Sequence, residues 1–161
     1  MVNQEARARR ACFTGHRPEK LTRPEAEIQH DLEQQIRQAI ADGFREFISG
    51  MARGVDIWGA QIVLNLREAG ADVELICACP YPGVEAGWRQ SWQRQYHEIL
   101  SAARVTYICD RYSRSCFQAR NEWMVERSAR IIAVFNGEKS GTKNTIDYAK
   151  KLGLHVVRID G

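Results

Sequence analysis

Four segments hold most of the residues suited to binding or acting on an anion, and each follows an apolar run. They are Thr14-Gly15-His16-Arg17-Pro18, Ser49-Gly50-Met51-Ala52-Arg53-Gly54-Val55-Asp56, Pro80-Tyr81-Pro82-Gly83 and Asn136-Gly137-Glu138-Lys139-Ser140-Gly141-Thr142. A phosphate is held by convergent backbone N–H groups, and glycine permits the approach because no side chain blocks it. Gly50 and Gly54 bracket Arg53, whose guanidinium can clamp a phosphate or carboxylate through paired hydrogen bonds. Asp56 can accept from a ribose hydroxyl or cap the helix that begins beside it. Gly137, Gly141 and Thr142 stand at the start of the last helix, where free N–H groups and the helix dipole favour an anion. Ser140 or Thr142 also suits the cap of that helix.

His16 and Arg17 follow the first strand on the same edge. Arg120-Asn121-Glu122 opens a later helix beside a basic loop and can face the same cleft. Glu122 is the carboxylate there fitted to general-base work, with His16 as the second acid/base candidate; otherwise Glu122 pairs with an arginine. The candidate ligand-binding set is thus Thr14, Gly15, His16, Arg17, Ser49, Gly50, Arg53, Gly54, Asp56, Arg120, Asn121, Gly137, Gly141 and Thr142. No Ser-His-Asp arrangement and no metal-ligand spacing occurs, so no metal is expected. The Gly-x-Gly-x-x-Gly fingerprint and the Walker lysine loop are both missing after the first strand. An ordinary NAD dehydrogenase or P-loop NTPase is excluded, and no resident cofactor is expected.

These loops need a scaffold, and the apolar pattern supplies one. Strands are expected at about 11–14, 44–49, 73–79, 105–109, 130–135 and 155–159. Helices are expected at about 24–42, 55–69, 84–102, 117–129 and 142–152. Ile28, Leu32, Ile36 and Ile40 form one helical stripe, and Trp88, Trp92, Tyr96 and Ile99 another. The second stripe reads as core or as a surface for self-association. Nearly all-apolar runs at 73–79 and 130–135 suit central parallel strands covered on both faces. Alternating strands and helices imply a three-layer αβα sandwich, Rossmann-like, with a mostly parallel sheet of about six strands. In such sheets ligands bind beyond the carboxyl ends of the strands.

A chain of 161 residues is the size of one domain, with a flexible polar segment at 1–10 and a single domain at 11–161. No apolar run approaches the roughly 20 residues that span a bilayer. Arg7, Arg9 and Arg10 are not followed by an apolar signal core. A cytoplasmic protein without membrane contact is expected. The five cysteines, Cys12, Cys77, Cys79, Cys109 and Cys116, read as buried reduced thiols, with Cys79 and Cys109 the candidates for reactivity near the ligand edge. The formal charge of +3 is too small to imply nucleic acid by itself, although Arg111, Arg114 and Arg120 can form a local positive patch.

Phe13-Thr14-Gly15-His16-Arg17-Pro18, the Ser49–Asp56 segment and Gly141-Thr142-Lys143-Asn144-Thr145 resemble the YpsA-like family of bacterial and phage proteins, from about Cys12 to Ile159. That family lies in the SLOG superfamily with the DNA-processing protein A (DprA/Smf) proteins and the LOG phosphoribohydrolases. The resemblance implies a modified Rossmann sheet, self-association, and binding of a nucleotide or nucleotide-derived ligand such as ADP-ribose, as a sensor or adaptor. Ser49–Asp56 and the Phe-x-x-Arg-Asn pattern at Phe117–Asn121 are also similar to the DprA/Smf core, which implies single-stranded nucleic acid as an alternative partner. Such binding calls for exposed aromatics beside a basic groove. The LOG glycine-rich motif compares with Asn136–Thr145, and its glutamate position is held here by Thr145. The third reading, an N-glycosidic-bond hydrolase related to the LOG enzymes, therefore falls to Glu122 and His16.

Overall fold

The computed structural model describes residues 2–161. In chain order the elements are α1 (Gln4–Arg7), β1 (Arg10–Gly15), α2 (Glu25–Ala41), β2 (Glu46–Ser49), α3 (Val55–Glu68), β3 (Glu74–Cys79), α4 (Gln90–Ser101), β4 (Arg104–Tyr107), α5 (Cys116–Glu126), β5 (Arg130–Phe135), α6 (Gly141–Lys151) and β6 (His155–Asp160). All six strands are parallel, in the order β4-β3-β2-β1-β5-β6. The sheet is α/β and Rossmann-like, as the alternation predicts. Helices α2, α3 and α4 pack with one face of the sheet, and α5 and α6 with the other. The chain runs outward from β1 through β2 and β3 to β4, then returns to lay β5 on the other side of β1. The carboxyl ends of β1 and β5 are therefore the switch point of the sheet, where diverging loops open a crevice.

Several elements differ from expectation for physical reasons. On α2, Ile28, Leu32 and Ile36 are buried, but Ala39 takes the next place and Ile40 is only half-buried. A spacing of four overshoots a 3.6-residue turn, so a long stripe drifts off the core face. The helix expected at 84–102 is broken: a 3-10 turn spans Val84–Gly87, Trp88 and Arg89 are extended, and α4 begins at Gln90. Trp88 packs edge-on against Tyr96, and Trp92 lies against Trp58. Of the aromatic stripe, Tyr96 and Ile99 are fully buried, while Trp88 and Trp92 are half-buried against the core.

The segment at 1–10 carries a helical turn: Asn3 caps α1, and Arg7 donates to the carbonyls of Ser128 and Leu152. Met1 lies outside the described residues. Cys12, Cys77 and Cys79 are buried free thiols; burial pushes Cys12 up to about 12. Cys109 and Cys116 are not thiols but a disulfide that closes the loop between β4 and α5. No helix among the described residues is long and apolar enough to cross a membrane.

Candidate functional site

A cleft of about 710 Å³ opens at the switch point. It lies over the ends of β1, β2 and β3 and between the amino-terminal ends of α3 and α6. Two loops must be held together to form it. His16, after β1, accepts a hydrogen bond at Nε2 from the backbone N–H of Asn136, after β5, at 3.1 Å. Its ring stacks on Phe135, with centroids 5.6 Å apart. The residue offered as an acid/base group thus spends one ring nitrogen on tying the two sides of the switch point. Burial lowers its pKa below the ordinary 6.5, against a smaller opposing effect of Glu138. A lowered histidine contributes stability above its unfolded value and loses it as pH falls through the folded one. Wild-type protein is therefore expected to lose more thermal stability between pH 8 and pH 5 than the His16→Gln variant, whose amide oxygen accepts but does not titrate. Parallel melting curves across that range would remove His16 from this role.

The loop from β2 to α3 forms the floor. Ser49 is buried; its hydroxyl donates to the Asp56 carbonyl at 2.8 Å and accepts from the Met51 N–H at 3.2 Å. Met51 takes the left-handed conformation, at φ 57°. Asp56 Oδ2 accepts from the Ala52 N–H at 3.3 Å, while Oδ1 is buried with no partner. Arg120, from the second turn of α5, donates through Nη1 to the Gly50 carbonyl at 2.7 Å and through Nε to Asn121 at 2.9 Å. Asp56 is 6% and Arg120 7% exposed. Their charges face each other across the loop without a direct hydrogen bond. Burial raises the Asp56 carboxyl to about 6, although Arg120 and the Ala52 N–H oppose the shift. The same burial lowers the Arg120 guanidinium, against the pull of Asp56. Buried, incompletely paired charges cost stability, and such arrangements concentrate at functional sites.

The glycines act by making room. A Cβ on Gly50 would sit 2.8 Å from Arg120 Cδ and 3.0 Å from Asp56 Oδ2. One on Gly15 would meet Val55 Cγ2 at 2.4 Å, so this glycine lets the first residue of α3 seat on the end of β1. Both serve packing around the cleft. Gly54 lies buried under Pro18 before α3, and Gly137 is in the exposed turn after β5.

Thr14, Gly15, His16, Arg17, Arg53, Asp56, Arg120, Asn121, Gly141 and Thr142 line the cleft together. Ser49, Gly50, Gly54 and Gly137 are not in its lining. Glu122 is not in the lining: its carboxylate accepts from Gln118 on the surface of α5. Arg120 belongs to the floor and not to a surface patch with Arg111 and Arg114, which are exposed. Arg53 pairs with Glu19 at 3.2 Å on the rim. Ser140 caps α6 by accepting from the Lys143 N–H at 3.2 Å, and Thr145 donates to the Gly141 carbonyl at 2.8 Å. Lys20 in the lining was not anticipated, and Glu138, Lys139 and Phe117 belong to segments the sequence singled out but not to its ligand-binding set. Phe117 stands at the head of the Phe-x-x-Arg-Asn pattern, three residues before Arg120.

Residues 11–154 match the model of the YspA SLOG family. A UPF0398 protein of Halalkalibacterium halodurans is 30% identical over 128 residues, covering 77% of this chain and 68% of the relative. One from Bacillus thuringiensis is 30% identical over 152 residues, covering 88% and 83%. Among solved structures, DNA processing protein A from Streptococcus pneumoniae superposes with a TM-score of 0.69 at 18% identity, over 96% of this chain and 51% of that one. The Helicobacter pylori protein of that name, described for its single-stranded DNA binding mode, gives 0.68 at 18% identity, over 98% and 67%. The chain spans about half the length of the Streptococcus protein, and these likenesses concern the fold. The chain belongs to the YspA SLOG family.

Proposed function

We propose that this YspA SLOG family member binds a nucleotide or nucleotide-derived ligand, a nucleoside phosphate or an ADP-ribose-like molecule, in the switch-point cleft, as a sensor or adaptor. One observation carries the reading: the amino-terminal end of α6 and the loop leading into α3 line the same cleft as Asp56, a buried carboxylate with one oxygen unpartnered. The first N–H groups of α6 and its helix dipole suit phosphate. Arg17, Lys20, Arg53 and Lys139 add positive charge around it. Asp56 Oδ1, lacking a partner, suits a ribose hydroxyl.

Calorimetry and thermal shift with ADP, ADP-ribose and NAD test this. A ligand at about 100 times its Kd adds roughly 2.7 kcal/mol of stability. Arg53→Ala is expected to weaken a phosphate-bearing ligand by about 1.5 kcal/mol, the value of a charge-assisted hydrogen bond. Absence of any shift with all three would sink the reading.

Single-stranded nucleic acid is the second reading, favoured by the fold neighbours and by exposed Tyr112 against Tyr81 of the cleft, in a loop that also carries exposed Arg111 and Arg114. It predicts oligonucleotide affinity that falls steeply between 50 and 200 mM salt, as released counterions require. A hydrolase reading has less support, because Glu122 lies outside the lining and Thr145 is tied back to its own helix.

A further inference from the structure

We propose that the aromatic corner of the cleft, Tyr81 and Phe117 backed by Tyr112, receives the base of the nucleotide whose phosphate lies at the start of α6; this rests on the phosphate-binding reading above. The cleft is not uniform along its length. At the β1/β5 end the lining is polar and basic, from Arg17 and Lys20 to Lys139 and Thr142. At the β3 end it is apolar and aromatic. There the Tyr81 and Phe117 rings meet nearly perpendicular, with centroids 6.0 Å apart, and Tyr112 lies edge-on to Tyr81 at 5.6 Å. Rings that merely filled core would be covered, yet Phe117 is 39% and Tyr112 63% exposed. The Arg120 guanidinium sits 5.8 Å from the Phe117 centroid, joining the aromatic corner to the charged floor.

The spacing selects the ligand. From β3 through β2 and β1 to β5 are three strand steps, about 14 Å at the usual ~4.8 Å separation. A sugar phosphate is too short to use both ends, whereas a base, ribose and diphosphate in line can reach them. Asp56, at the start of α3 after β2, lines the cleft between the two ends, where the ribose of such a ligand would lie. A bare anion would leave the rings in water, and an apolar molecule would leave Asp56 and the α6 amides without partners. Base–aromatic stacking tolerates any base because each has a π face.

The test is calorimetry of ADP, ribose 5-phosphate and a short oligothymidylate with wild type, Phe117→Ala and Phe117→Tyr. Phe117→Ala is expected to weaken ADP by about tenfold or more, the range of one lost stacking contact. Ribose 5-phosphate affinity should stay unchanged, and Phe117→Tyr should bind ADP as wild type does. Equal weakening of both ligands, or none of ADP, overturns the base corner. Ribose 5-phosphate bound as tightly as ADP by wild type also overturns it while sparing the phosphate site. Failure of both to bind removes the phosphate site as well, unless the oligothymidylate binds and weakens in Phe117→Ala. That outcome keeps the corner as a base site and assigns its base to a nucleic-acid strand.

Discussion

Arg120→Met is expected to destabilise the protein by about 3 kcal/mol at pH 8, the cost of leaving a buried charge without compensation. The methionine fills much of the arginine stem's space but removes the bond to the Gly50 carbonyl and the guanidinium whose charge opposes the rise of the Asp56 carboxyl. The loss should be smaller at pH 5. Asp56 is raised from 3.8 to about 6, so between those values the native state holds a proton that the unfolded state has released. Stability from this group therefore falls as pH rises through that window. A shift of about two units corresponds to roughly 3 kcal/mol of cost once the carboxylate is charged. Adding Asp56→Asn to Arg120→Met should recover much of the loss at pH 8 and little at pH 5. Urea unfolding of the single and double variants at both pH values decides this. Equal losses at the two pH values would mean that Arg120 matters for packing and not for charge.

The second large effect lies at Gly15. Gly15→Ala places a methyl group 2.4 Å from Val55 Cγ2 and 2.6 Å from its Cβ, too close for a rotamer change alone to relieve. Either α3 lifts from the end of β1 or β1 bends, and overpacking of this kind costs about 3 kcal/mol at its upper range. Because α3 also carries Asp56 into the cleft, ligand affinity should fall in the folded variant. A wild-type urea midpoint for Gly15→Ala would show that the helix end yields freely, and the rigid seating of α3 on β1 would then be discarded.

The pH response of the whole protein combines groups of opposite sign. His16 favours the fold above its ordinary pKa and Asp56 favours it below about 6. Their separation therefore needs the variants, because wild-type melting alone sums the two.

The alternation of apolar runs with amphipathic stretches determined the layers, the parallel sheet and the edge on which the loops gather. That information is local: each strand and helix announces itself by its own period, and glycine-bearing loops mark where strands stop. The spacing from Ser49 to Asp56 likewise placed arginine, glycine and carboxylate in one loop. The strand order was not local. Nothing in the residues of β5 says that it pairs with β1 and not with β4, yet that pairing creates the switch point and brings Asn136 to His16. The direction of a helical side chain was also undecided. Arg120 and Glu122 are two residues apart, about 200° around a helix, so only the packing of α5 sends arginine to the floor and glutamate to the surface. The same holds for Gly15, whose neighbour Val55 lies forty residues away. Burial, pairing and close approach across the sheet are properties of contacts between distant segments, and those contacts decided what each candidate residue does.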